Sequence, residues 1–198
     1  MPGQKPIKAL PTGYREASFI SINKPGMLVW LNLMSLIPLV ISGMLVFGAL
    51  LVYHEELGAP LVFNDALPDD LPTWGGLLLV LLVLPLHELM HGLAIQYFGH
   101  KPRYGFKLVV MFATSDGAYF RRGEFIRIAL APLAAISLLG AVIMLFVPQG
   151  VGYWVGWAVC LNAAGAIGDL WMTAAVLRYH PATLIRDEAD SMRIFVRL

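Results

Sequence analysis

Cysteine is almost missing from this chain, and charge is scarce. The one cysteine in 198 residues, Cys160, lies inside an apolar stretch. Without a second thiol there is no disulfide framework, and a cysteine-built metal cluster is excluded with it. Charged residues make up only 14% of the chain, where a soluble domain carries about 25%. The formal net charge of +1 gives no reason to expect a nucleic-acid partner. The first 25 residues hold Lys5, Lys8, Arg15 and Lys24 but no early apolar core, so no secretory leader is expected. There is no internal repeat and no low-complexity tract. The expectation is a single domain over residues 1–198.

What is abundant is apolar. Hydrophobic residues reach 58%, above the ~45–50% of soluble domains. Four runs are long enough to cross a hydrocarbon core, which takes about 20 helical residues. They lie at about 28–53, 74–98, 125–147 and 152–177. Trp30, Tyr53, Trp74, Tyr97, Tyr153 and Trp154 sit near their ends, where amphipathic rings favour a membrane interface. Pro38, Pro85 and Pro132 fall inside runs, where neighbouring helices can satisfy the carbonyls they free. The lipid bilayer is therefore the expected surrounding.

Loop charges orient these runs. The segment 54–73 carries Glu55, Glu56, Asp65, Asp69 and Asp70 with no Lys or Arg. The N-terminal arm is basic. So are the segment after the second run (Lys101, Arg103, Lys107, Arg121, Arg122) and the tail (Arg178, Arg186, Arg193, Arg197). Positive charge stays on the cytoplasmic side, so both termini are expected there in a multi-pass protein of the cell membrane. Between the second and third runs, Tyr104–Ala113 is rich in aromatic and β-branched residues. Thr114–Gly117 is a turn signal, and Ala118–Phe120 reads as a returning strand. The fold class expected is thus all-α and polytopic, four transmembrane helices with a short β-hairpin between helices two and three.

The chemistry concentrates in the second run, at His87-Glu88-Leu89-Met90-His91. Residues four apart share a helix face, so both imidazoles can reach one metal ion. Imidazole nitrogen suits zinc, and a glutamate between two such histidines can take a proton from water. Three polar side chains buried in lipid could instead serve as hydrogen-bonding glue between helices, but their spacing favours the metal. A catalytic zinc takes three protein ligands and leaves one position open. The fourth run supplies Asp169 as the candidate third ligand. Asn162 stands seven residues earlier, on the same helical face. Counted from Trp74, His87 and His91 lie 13 and 17 residues in, and Asp169 lies 17 in from Gly152. At ~1.5 Å per residue all three sit about 20–26 Å along their helices, at one level. His54, His100 and His180 fall at run ends or in loops and read as interfacial or solvated side chains.

Taken together these residues resemble the site-2-protease clan of intramembrane metalloproteases. They are more closely similar to a family of small prokaryotic membrane proteins grouped as zincin peptidases. The likeness rests on His87-Glu-Leu-Met-His-Gly92, Pro102-Arg-Tyr-Gly-Phe-Lys107 and Asp116-Gly-Ala-Tyr-Phe-Arg-Arg122. It continues through Ile128-Ala-Leu-Ala-Pro-Leu133, Asn162 with Gly168-Asp169, and the tail Asp190–Phe195. In the clan, an Asn followed by prolines and Asp-Gly gives the third zinc ligand and an asparagine that orients substrate. The resemblance implies Asp169 for the first role and Asn162 for the second. The intervening prolines are absent here, and Leu170 follows Asp169 where the clan has glycine. What the resemblance implies is a zinc-dependent intramembrane endopeptidase acting on membrane protein or peptide segments. In it, His87, His91 and Asp169 hold Zn2+, and Glu88 and Asn162 are catalytic. A non-catalytic adaptor that keeps a structural zinc is the main alternative, and a metal transporter a lesser one.

Overall fold

The computed structural model describes residues 6–21, 24–62, 68–107, 110–188 and 191–198, leaving aside the side chains of 106, 107 and 110. Lys5 and Asp65, the 108–109 step of the expected strand and Asp190 of the tail motif lie outside the described residues.

Helices dominate. The first apolar run forms α1 (Met27–Met34) and α2 (Leu36–Leu51), closed by a π-helical turn over Val52–Glu56. Pro38 falls in the first turn of α2, where a missing N–H costs nothing because that donor has no partner inside the helix. The second run is α3 (Thr73–Tyr97) and the third α4 (Arg122–Met144), each with its proline inside. Met27–Glu56, α3 and α4 are long and apolar enough to cross a membrane. The fourth run is not one helix. It is α5 (Gln149–Gly165) and α6 (Ile167–Leu177), bent by 42° at a short break. Gly165 and Gly168 flank that break, and glycine is among the poorest helix formers. The Ala166 N–H turns back to the Asn162 carbonyl at 3.0 Å and closes α5.

The chain falls into two compact units. One comprises 1–32, 88–131 and 168–198. It contains a four-stranded antiparallel sheet that the all-α expectation lacks. β1 (Tyr14–Ser21), β4 (Phe120–Arg121), β5 (Leu184–Asp187) and β6 (Ser191–Arg197) stand in the order β1-β6-β5-β4. β6 alternates as a half-buried strand must: Met192 and Ile194 are buried, while Arg193 and Arg197 point outward. Its inner face joins Ile95, Phe98, Phe120, Phe125, Val176 and Ile185 in one apolar core.

The same unit holds the β-hairpin, with its turn moved. β2 (Arg103–Lys107) pairs antiparallel with β3 (Val110–Thr114). The expected strand thus folds back on itself instead of running unbroken to Ala113. The Thr114–Gly117 turn is present, with Gly117 at φ 67°, a left-handed conformation that favours glycine. It delivers the chain to β4, which pairs with β5 rather than with the hairpin. The reason is burial: Phe120 is 1% exposed in the core of the sheet.

The second unit comprises 33–87 and 132–167. Here α2 approaches α5 closely at glycines. A Cβ on Gly156 would lie 3.0 Å from Val46 and one on Gly152 3.2 Å from Leu50. The outward faces of α2, α3 and α4 in this unit are apolar. Met44, Leu45, Trp74 and Leu138 are each more than two-thirds exposed.

Candidate metal centre

α3 is continuous through Pro85, and its helical pitch sets His87 and His91 one turn apart with Glu88 between them. His91 is buried, whereas His87 and Glu88 are half-buried. Asp169, also buried, lies in the first turn of α6. The break at Ala166 therefore places its carboxylate beside the positive end of a helix, where a negative charge is favoured. Oδ2 of Asp169 is 3.4 Å from Nε2 of His91. The ligand atoms that His87, His91 and Asp169 offer all lie within 4.8 Å of one another.

Whether these groups suit a metal depends on which nitrogen of each ring carries the proton. Nδ1 of His91 is 2.9 Å from the carbonyl oxygen of Ile128. A carbonyl only accepts, so Nδ1 is the donor, and Nε2 is the nitrogen that faces Asp169. That carbonyl is available for a reason. It would normally receive the N–H of the residue four positions on, and that residue is Pro132, which has none.

His87 is fixed by a parallel device. Its Nδ1 lies 2.9 Å from Oδ1 of Asn162. The amide's orientation is set at its other end, where Nδ2 donates to the Pro132 carbonyl at 3.2 Å. Oδ1 is thus the acceptor and His87 Nδ1 the donor, so Nε2 is the nitrogen this ring can offer a metal. Asn162 itself is 2% exposed. Two imidazoles with Nδ1–H tied to oxygen, grouped through their other sides with a buried carboxylate, form a donor set that fits zinc.

The packing beyond His91 is tight. A Cβ on Gly92 would run into the Tyr104 ring, so the first strand of the hairpin lies close against α3. What was not anticipated from the sequence is the part that Ile128 and Pro132 take in holding His91. Their signal was present, since a proline inside a helix frees the carbonyl four residues before it.

With this geometry in view, the comparisons are consistent. Residues 80–184, just over half of the chain, match the family described as "Putative zincin peptidase", and the chain belongs to that family. No curated protein and no solved structure matches it. The matched segment includes His87, Glu88, His91, Asn162 and Asp169. The family suggests a zinc metallopeptidase, and the structure brings together three residues able to hold a metal ion.

Proposed function

We propose that this protein is an integral-membrane zinc endopeptidase that cleaves peptide segments within or next to the bilayer, in the manner of the site-2-protease clan. The observation that carries the reading is the grouping of His87, His91 and the buried Asp169 carboxylate, with each imidazole held through Nδ1 by an oxygen. Those second contacts set the tautomer that a zinc ligand needs, and hydrogen bonding for its own sake does not require them to agree.

His87, His91 and Asp169 hold the ion. Bound zinc supplies a Lewis acid that acidifies water and polarises a carbonyl. Glu88 holds the attacking water by its carboxylate, accepts the proton as the C–O bond forms, and returns it to the leaving nitrogen as the C–N bond breaks. Zinc ligation alone does not call for a glutamate at this position, which favours a peptidase over an adaptor with a structural ion. Asn162 has both ends of its amide engaged, so its role is to position His87 rather than to touch substrate.

Membrane insertion is supported by the lengths of the helices and by their exposed apolar faces. In water such faces would drive association, whereas in lipid they are solvated. The charge pattern supports a cytoplasmic location for both termini.

The test is a transmembrane peptide panel incubated with zinc-replete wild type and with Glu88→Gln in liposomes. The wild type is expected to cleave, and the variant to keep its zinc and lose turnover by at least about a hundredfold, the lower range for losing an acid–base group. Equal cleavage by both proteins would overturn the mechanism.

A further inference from the structure

Within the unit that carries the sheet, a cavity of about 500 Å³ opens beyond Tyr97, the last residue of α3. Three cationic side chains, Lys8, Lys101 and Arg103, line it together with His100, Ser115 and Asp116. Each is brought there by a separate piece of the fold. Ile7 bridges to Tyr119, with the Tyr119 N–H on the Ile7 carbonyl at 2.9 Å, and this places Lys8 at the rim. The chain leaving α3 through Gly99, at φ 80°, brings His100 and Lys101. Arg103 opens β2, and the turn after β3 supplies Ser115 and Asp116.

The charges do not balance. Asp116 is committed to Arg103, whose Nη1 donates to both carboxylate oxygens at 2.9 and 3.0 Å. No carboxylate pairs with Lys8 or Lys101 among the described residues. The pocket thus keeps two unmatched positive charges. It also has an unmatched buried polar group. His100 is 7% exposed and packed on Phe120, with ring centroids 4.7 Å apart, and its Nε2 has no hydrogen-bond partner among the described residues. A buried polar atom without a partner is costly, and a ligand in the pocket is what can offset that cost.

We propose that this pocket binds a phosphate group, with Lys8 and Lys101 as its counter-charges. The group is small and doubly suited, offering negative charge to the lysines and several acceptor oxygens to donors around it. It has two sources. One is the phosphodiester of an anionic lipid headgroup, which rests on the membrane reading, since the cavity lies where an apolar helix ends. The other is free phosphate or a small soluble phosphate ester, which does not.

The experiment follows thermal unfolding of the zinc-loaded protein in neutral detergent. Inorganic phosphate, phosphatidylglycerol and phosphatidylcholine are titrated separately at constant ionic strength. Lys8→Ala/Lys101→Ala is compared with wild type and with Arg15→Ala/Arg197→Ala, which removes two exposed cations from the sheet. The wild type is expected to rise in midpoint with phosphate, with phosphatidylglycerol, or with both, and not with phosphatidylcholine. A response to both identifies the phosphate group as the shared determinant, a response to the lipid alone assigns the headgroup, and one to phosphate alone assigns a soluble ligand. The half-saturating concentration should rise at least tenfold in the lysine variant and stay unchanged in the arginine variant. No response, an equal response to phosphatidylcholine, or equal behaviour of the two variants would overturn the proposal. Zinc content is measured on the same samples, so failure here leaves the peptidase reading separately judged.

Discussion

Two ring nitrogens decide what His87 and His91 can offer a metal, and both are set by oxygens from elsewhere in the chain. The Ile128 carbonyl does this for His91, and the Asn162 amide for His87. Outer contacts of this kind typically matter by about 10–100-fold in metal affinity. Asn162→Ala is therefore expected to weaken zinc binding by roughly that factor, measured by chelator competition on the detergent-purified protein. Unchanged affinity would remove Asn162 from the site. The pairing of His87 with His91 was legible in the sequence because a four-residue spacing is itself a statement about a helix face. Asp169 was legible because charge is rare in so apolar a run. The task of Asn162 was not, since a side chain's partner on another helix leaves no mark in local spacing.

At the scale of elements, the prolines do more than bend helices. Pro132 lacks the N–H that would occupy the Ile128 carbonyl, and His91 takes its place. Pro132→Ala restores that donor and relieves an interior proline worth about 3 kcal/mol of helix propensity. The helix should gain regularity while the site loses zinc affinity by severalfold, because the restored N–H competes for the same oxygen. Affinity equal to wild type in chelator competition would contradict this. The helices themselves follow from the length of the apolar runs, which is why their spans were readable to within a few residues. The sheet was not readable. Ser191–Arg197 alternates like a strand, but its partner Tyr14–Ser21 lies at the other end of the chain, and pairing across such a separation has no local signature. The break at Ala166 was hidden for another reason. A run of small residues reads equally well as a close-packed continuous helix, and only the structure shows α6 starting afresh beneath Asp169.

For the molecule as a whole, the proposal is a mostly helical chain in the bilayer with its basic residues on one side. The charge pattern then predicts Glu55 and Glu56 outside and the two termini inside. In a Cys160→Ser background, a membrane-impermeant maleimide applied to intact cells should label Glu56→Cys and leave Arg197→Cys unlabelled until the cells are opened. The reverse pattern would contradict the orientation, and labelling of both would place the two segments on the same outer side.

The central claim is that His87, His91 and Asp169 together hold zinc. Metal content of the detergent-purified protein, expressed with ample zinc, tests it most directly. The account predicts close to one zinc per chain in the wild type and its loss in both His91→Ala and Asp169→Ala. A wild type without zinc would contradict the claim outright. Zinc lost in His91→Ala but kept in Asp169→Ala would contradict the assignment of the third ligand.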